Sequence, residues 1–327
     1  MKCLACDFGG SAVKYALVNE DGTLCLRGRA RAPIGSLEDF LDVLQTLLGQ
    51  LPERADGLAL SLPGSIDGES GMHYGSGAYG SILQGKNIRE LLQPRFRIPV
   101  SVENDGKCGA LAELWKGELQ NARNGAVLIL GTGIGGGVIV DRKLVRGRDL
   151  AAGEFSYSLN PAGAYHPMDG AWLNVGMLGV TYKLCKRKNL SFAAQDAGAL
   201  LEKYDPLLKS RFPSFSDPPT FQKADGKQFF RWVEEGDPDA AAVYRELLRA
   251  LAAMIQNIQV CIAPEAIVLG GGLSRAPRLL PDLRQELQSM YQGCLIGAFL
   301  YANVVTSQFL DECNLLGAMY HFLQQEG

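Results

Sequence analysis

Asp7, Gly9, Gly10, Ser11 and Lys14 lie within one short stretch near the start of the chain, an acid closing an apolar run, then a glycine turn, a hydroxyl and a cation. Backbone amides exposed in such a turn bind phosphate oxygens, and the acid can hold Mg²⁺ directly or through water. A second run, Gly131-Thr132-Gly133-Ile134-Gly135-Gly136-Gly137, offers the same chemistry. Two such hairpins facing each other would grip the phosphates of one nucleotide. A third turn, Gly270-Gly271-Gly272 opening into Leu273-Ser274-Arg275, would lie flat against its adenosine. Glycine turns also arise for steric reasons alone, so each run by itself reads either way. Neither a Walker A motif nor a dinucleotide fingerprint is present: no Gly-Lys-Ser/Thr follows, and these turns join strand to strand.

The acidic candidate is Asp105 in Val102-Glu103-Asn104-Asp105-Gly106, where an apolar strand from Pro99 gives way to a helix through Ala110, Leu111 and Leu114. Asn104 or Asp105 reads as a helix cap. Asp105 reads equally as a general base, because a helix N-terminus keeps a carboxylate ionised and ready to take a proton. Phosphoryl transfer asks little more of a base than to orient a hydroxyl.

The elements that must position these residues follow from the apolar pattern. Cys3–Phe8 and Val13–Val18 read as strands, with Asn19-Glu20-Asp21-Gly22 as a hairpin turn. The design returns in mid-chain as Ala126–Leu130, the second glycine run, Val138–Val140, a polar turn at 141–143 and Leu144-Val145, which implies an internal duplication and two related lobes. Leu37–Leu48 carries a helical stripe. Asp237-Pro238 supplies a cap and first-turn proline for a long helix whose positions 244, 247, 248, 251, 255 and 258 share a face. That helix feeds a strand at Ala266–Leu269, and a last helix runs from about Asn314 to Gln324. The proline-rich stretch Asp205–Gly226 reads as a surface insertion.

The chain has 327 residues, twice the usual length of a single domain, so two lobes with a cleft between them are expected. Residues 1–120 would form a small N-terminal lobe, joined by the C-terminal helix 313–327, and 121–312 a large one, with the boundary near Gly117–Gly125. A formal charge of -3 and no dense basic stretch argue against nucleic acid as a partner. The start of the chain is too short in apolar residues for a leader and no later segment is long enough to span a bilayer, so a cytoplasmic protein without membrane attachment is expected. Eight cysteines are scattered along the chain, and only Cys3 and Cys6 form a CxxC, on a strand that would turn them to opposite faces. They read as buried, reduced thiols.

The ordered set resembles the ROK family (repressors, open reading frames, kinases) along the whole chain. It comprises the Asp-x-Gly-Gly hairpin, Pro63-Gly64 with Asp67, Glu103-Asn104-Asp105, Gly131–Gly137, Ala152-Gly153-Glu154 and Gly270-Gly271-Gly272. The resemblance implies an α/β, actin-like ATPase (ribonuclease H-like) fold, ATP and Mg²⁺ as cofactors, a small-molecule sugar as substrate and a homodimer. It implies that Asp7, Gly9, Gly10, Ser11 and Lys14 form the first phosphate loop, with Ser11 where the family usually has Thr, and that Asp7 holds Mg²⁺. Gly131, Thr132, Gly133 and Gly135 belong to the second loop, and Gly271 and Gly272 to the adenosine turn. Asp105 falls at the family's catalytic base, while Gly64, Asn87, Asn104 and Glu154 match positions that contact the sugar. The family's regulators carry a helix-turn-helix ahead of the first hairpin, which opens here at Cys3, so a sugar-responsive regulator is the lesser reading. The sugar-site matches also argue against a polymerising or chaperone-type ATPase.

Two departures bear on the substrate. After Glu154 the chain continues Phe155-Ser156-Tyr157, without the family's His and zinc-binding cysteine cluster, and His166 has no companion ligands nearby in sequence. No structural zinc is expected. Asn174 falls where the family has a Glu that helps read the sugar. These changes, with the ending Leu315–Gln324, resemble the beta-glucoside kinase branch, which phosphorylates the 6-hydroxyl of cellobiose and similar glucosides. A neutral wall in which Tyr157 stacks on a second sugar or an aglycone suits such a substrate. Tyr157 could equally fill the place of the missing zinc site. A glucokinase and an N-acetylhexosamine (N-acetylmannosamine) kinase remain alternatives.

Overall fold

A computed structural model describes residues 1–159, 170–188, 226–292, 301–309 and 312–326. His166, Cys294 and most of the expected insertion, 205–225, lie outside the described residues. The chain divides into two compact units. The first comprises Met1–Val127, Gly136–Gly153 and Ser307–Gly327, and the second Leu128–Gly135 and Glu154–Thr306.

The first unit is built on a five-stranded sheet of β1 (Lys2–Phe8), β2 (Ala12–Asn19), β3 (Leu24–Arg31), β4 (Gly57–Leu62) and β8 (Val100–Asn104), in the order β3-β2-β1-β4-β8. The hairpins are antiparallel, and β4 and β8 add in parallel. Strand alternation sends side chains to two separate cores. Cys6, Phe8, Leu58, Leu60 and Val102 meet Phe40 and Leu44 of α1 (Leu37–Gly49) and Ile88 and Leu92 of α3 (Ile88–Phe96). Cys3, Ala5, Ala16 and Ala59 face Cys108 and Ala112 of α4 (Asp105–Lys116) and Leu315, Met319 and Phe322 of α10 (Cys313–Glu326). The two CxxC thiols are thus on opposite faces, and burial pushes the Cys3 thiol up to about 12.

Small residues fill the second core because helix backbone there lies close to its neighbours. A Cβ on Gly317 of α10 would lie 1.8 Å from the Cys108 carbonyl oxygen, and one on Gly57 would lie 2.2 Å from the Phe322 ring. A three-stranded sheet of β5 (Ser65–Asp67), β6 (Met72–Gly75) and β7 (Lys86–Asn87), with the short α2 (Gly80–Leu83) between β6 and β7, is inserted between β4 and α3. The sequence pattern gave no warning of it, because its strands are too short to show a period. The mid-chain hairpin is an antiparallel ladder that pairs Val138 with Val145, with Asp141 and Arg142 in left-handed turn conformations.

The second five-stranded sheet has the order β11-β10-β9-β12-β13, the same succession as the first, from β9 (Gly125–Leu130), β10 (Ile134–Val140), β11 (Lys143–Val145), β12 (Ala266–Gly270) and β13 (Val304–Thr306). In the second unit β12 and β13 run parallel. Its helices are α5 (Ala171–Asn174), α6 (Met177–Arg187), α7 (Gly226–Glu234), α8 (Pro238–Ile262) and α9 (Leu279–Tyr291). Asp237 caps α8 by accepting from the Ala240 amide at 2.9 Å, and the expected stripe from Tyr244 to Ile258 is buried. Among the described residues, no helix is long and apolar enough to cross a membrane.

Gly317→Ala forces a methyl group against backbone that cannot swing away, and should lower the unfolding free energy by about 2–3 kcal/mol or more. Gly49→Ala, where nothing lies within 4 Å, should be neutral or stabilising by up to about 1 kcal/mol. Urea denaturation of both variants checks this, and equal midpoints would show that α4 and α10 do not pack so closely in solution.

Candidate functional site

Asp7 sits near the end of β1, opposite Lys14 on β2 and Ser61 on β4. Its Oδ1 accepts the Ser61 hydroxyl at 2.9 Å and the Asn314 side-chain amide at 3.0 Å. Two donors on one oxygen fix the carboxylate's orientation. Beyond it the turn is closed by the Gly9 amide on the Ala12 carbonyl at 3.0 Å, and the Tyr79 hydroxyl donates to the Gly9 carbonyl at 3.0 Å. Tyr79 is fully buried against Phe8 and Phe40, so the turn is fastened to the core while Gly10 and Ser11 stay exposed.

The β8–α4 junction gathers the next group. Asn104 is the N-cap of α4, its Oδ1 accepting from the Lys107 amide at 3.1 Å. Its Nδ2 donates to the Gly64 carbonyl at 3.0 Å. Gly64 has φ +122° and stands where a Cβ would lie 2.7 Å from the Ser76 carbonyl oxygen, so a side chain is excluded both by conformation and by space. One amide group therefore ties the Pro63-Gly64 turn to the start of the helix. Asp105 follows as the first residue of α4, partly exposed, with Oδ1 accepting its neighbour's amide, Gly106, at 2.8 Å. The helix N-terminus adds a favourable field for its negative charge. Gly106 leaves no room for a Cβ, which would lie 2.5 Å from the Gly136 amide nitrogen, so the helix start is seated on the β10 backbone.

Beneath this junction lies a buried ion pair that the sequence reading did not single out. Glu103, fully buried, accepts at Oε2 from Arg146 Nη2 at 2.7 Å and Nε at 3.1 Å, and at Oε1 from the Asn104 amide at 2.8 Å. An acid inside an otherwise apolar strand was the available signal, since a buried carboxylate demands a partner. Its partner, forty-three positions away, carried no signal of its own.

Asn87 stands apart from these groups. Its Oδ1 caps α3 through the Arg89 and Glu90 amides, and its Nδ2 donates to the Ser70 carbonyl at 3.1 Å. The structure commits both ends of this side chain to the β5–β6 hairpin and the helix.

In the second unit, the glycine run is held open by its neighbours. The Gly131 and Thr132 carbonyls accept from the Met177 and Leu178 amides, both at 3.0 Å, and Gly131 N bonds to Gly133 O at 3.0 Å. The Ser156 hydroxyl donates to the Ile134 carbonyl at 2.7 Å and accepts its amide at 3.1 Å, which makes Ser156 a fastener that sequence reasoning missed. Gly271 takes φ +83° with a Cβ position only 2.5 Å from the Leu130 carbonyl oxygen, while Gly272 faces open space. The Gly271 carbonyl accepts from the Ser274 hydroxyl at 2.8 Å. Gly135 lies on β10 next to this loop.

Glu154 precedes a single 3₁₀ turn, Phe155–Tyr157, in which Phe155 is buried and Tyr157 is 73% exposed. Asn174 closes α5, its Nδ2 donating to the Gly170 carbonyl at 3.1 Å and its Oδ1 accepting from Lys183 Nζ at 2.7 Å. Lys183 also approaches Glu246 at 3.4 Å, and burial pulls its ammonium below the usual lysine range. The amide at position 174 is thus a member of a polar set on α6 and α8.

Among the described residues, no group of three or more His, Cys, Asp or Glu side chains could hold a metal ion. Asp7 nonetheless suits Mg²⁺, which is commonly bound by one or two carboxylates together with phosphates and water.

The sequence matches that of a beta-glucoside kinase of Listeria innocua serovar 6a at 26% identity, over 100% of this chain and 99% of the relative. A beta-glucoside kinase of Klebsiella pneumoniae is 29% identical over 99% and 97% of the two chains. Among solved structures, the Lmo2764 protein of Listeria monocytogenes superposes with a TM-score of 0.81 at 26% identity, covering all of both chains. The α/β architecture is the actin-like ATPase fold. The sequence model of the ROK family matches residues 3–169 and 188–325, nearly the whole length, and the chain belongs to that family.

Proposed function

We propose that the protein is an ATP-dependent sugar kinase that phosphorylates the 6-hydroxyl of a glucose-type ring, with a beta-glucoside such as cellobiose as its substrate. The observation that carries this reading is the β8–α4 junction, where a partly exposed carboxylate heads a helix beside an amide already locked to a glycine turn. That arrangement suits a base fixed next to a bound hydroxyl. Full-length relatives named beta-glucoside kinase support the choice of acceptor.

In this reading Asp105 accepts the proton of the sugar hydroxyl as its oxygen attacks the γ-phosphorus, and ADP leaves. Gly64, Asn104 and Glu154 orient the ring, and Asn87, Tyr157 and Asn174 are the other candidates for contact with the substrate. The turn of Gly9, Gly10 and Ser11 with Lys14, and the Gly131, Thr132, Gly133 and Gly135 segment, hold phosphate oxygens. Gly271 and Gly272 lie against the adenosine. Asp7 would hold Mg²⁺, directly or through water, and the ion would supply charge neutralisation on the phosphates. Tyr157, 73% exposed, would stack on an aglycone or a second sugar in this reading.

Asp105→Asn keeps an acceptor for the Gly106 amide and removes the base. It should lower kcat about 10²–10⁴-fold while leaving nucleotide affinity within about threefold. A coupled ADP-release assay with isothermal titration of the nucleotide checks this, and a near-normal rate would overturn the assignment of the base.

The acceptor is tested on glucose, cellobiose, gentiobiose, arbutin, N-acetylglucosamine and N-acetylmannosamine. At least one glucoside should exceed free glucose in kcat/KM by about tenfold, the scale of one lost or gained set of contacts. A value for glucose above that of every glucoside would sink the glucoside reading and leave the kinase standing.

A further inference from the structure

Arg146 lies at the start of the segment that follows β11 and has no role among the residues assigned above. Its guanidinium forks onto Glu103 Oε2, through Nη2 at 2.7 Å and Nε at 3.1 Å, while Nη1 reaches the exposed Glu69 at 3.4 Å. The other Glu103 oxygen holds the backbone amide of Asn104 at 2.8 Å. This places the guanidinium, the carboxylate and the Asn104 backbone in one uninterrupted chain of charge-assisted hydrogen bonds, ending one residue before Asp105.

The carboxylate end of the pair is closely covered, while the Arg146 side chain stays 18% exposed. A Cβ on Gly68 would lie 2.4 Å from Glu103 Oε2 and 3.0 Å from His321 Nε2. The Gly68 carbonyl accepts from Arg89 Nη2 at 2.8 Å and Gln325 Nε2 at 2.6 Å, with His321 Nε2 at 3.1 Å. The β5–β6 turn is therefore a lid over the pair, fastened by α3 and α10. A purely apolar plug would fill this volume equally well, and packing gives no reason to place two opposite charges here. What the charges add is direction, because a forked guanidinium fixes the plane of the carboxylate and so the position of the amide that the carboxylate holds.

We propose that Arg146 is a positioning residue for the acceptor site, acting through Glu103 to fix the backbone of Asn104 and, with it, the carboxylate of Asp105. The proposal rests on the kinase reading of the preceding section. It assigns Arg146 to the rate of transfer and leaves the binding of nucleotide to other residues.

The test uses the full chain with MgATP and the best acceptor from the panel, reading kcat, both KM values and the thermal midpoint for each variant. Arg146→Met should lower kcat at least about 30-fold with KM for MgATP changed less than about threefold. Arg146→Lys keeps the charge without the fork and should recover no more than about a tenth of the lost rate. Glu103→Gln combined with Arg146→Met should be no slower than Arg146→Met alone, since the two residues act as one unit. Glu69→Gln, which removes only the exposed arm, should change kcat less than about twofold.

If Arg146→Met retains kcat within threefold of wild type when measured below its own thermal midpoint, the inference fails. Full recovery in Arg146→Lys, or a loss in Glu69→Gln as large as in Arg146→Met, overturns it as well. Should Arg146→Met not fold, the Arg146→Lys and double variants carry the comparison. A wild-type protein that transfers phosphate to none of the sugars would instead refute the kinase reading, which separates the two failures.

Discussion

A carboxylate taken wholly out of water at the end of a β-strand must be matched, and the pairing of Glu103 with Arg146 meets that demand in the first unit. Removing one partner of such a pair generally costs about 3–5 kcal/mol, because the other charge is left buried and alone. The pair therefore dictates more than its own geometry. The β5–β6 turn has to close over it with a residue lacking a side chain, α3 and α10 have to supply donors for that turn, and the segment after β11 has to return to β8. Each of these elements comes from a different part of the chain, so the ion pair acts as a registration point on which distant segments converge.

A second constraint runs alongside the first, namely backbone that approaches backbone more closely than any side chain permits. Gly106 rests on Gly136, Gly137 on Ala110, and Gly317 on Cys108, so α4 is held on one side by β10 and on the other by α10. With so little clearance, the start of α4 has one position, and the groups at its N-terminus inherit it. The same economy of space operates in the second unit, where Gly176 lies against Thr132 and Gly133 and the first amides of α6 reach the carbonyls of the glycine run. At Gly106, Gly137, Gly176 and Gly317 the missing side chain is what allows this close approach.

Much of this was legible in the residues. The hairpin around Asp7, its echo in mid-chain, the stripe of α8 with its Asp237 cap, and the last helix follow from periodicity and turn chemistry, which are local properties. The identical succession of strands in the two sheets bears out the duplication read from the repeated hairpin. The inserted sheet between β4 and α3 was not legible, since strands of two to four residues carry no period. Asn87 was legible only as a position in the family order; that its amide caps α3 and donates to the Ser70 carbonyl was supplied by the structure.

Asp105 marks the division most clearly. Sequence alone placed a carboxylate at a strand-to-helix junction and left cap and base as equal readings, because capping is a matter of which oxygen meets which amide. The tertiary structure gave the cap to Asn104 and left the Asp105 carboxylate partly exposed. The order of the motifs carried the resemblance from which the fold and family were expected, and spacing gave the residue types available for chemistry. The partners of Asp7, Glu103 and Ser156 were decided only in three dimensions, because each is supplied by a segment at least twenty-two positions away, and no local pattern encodes which distant side chain arrives.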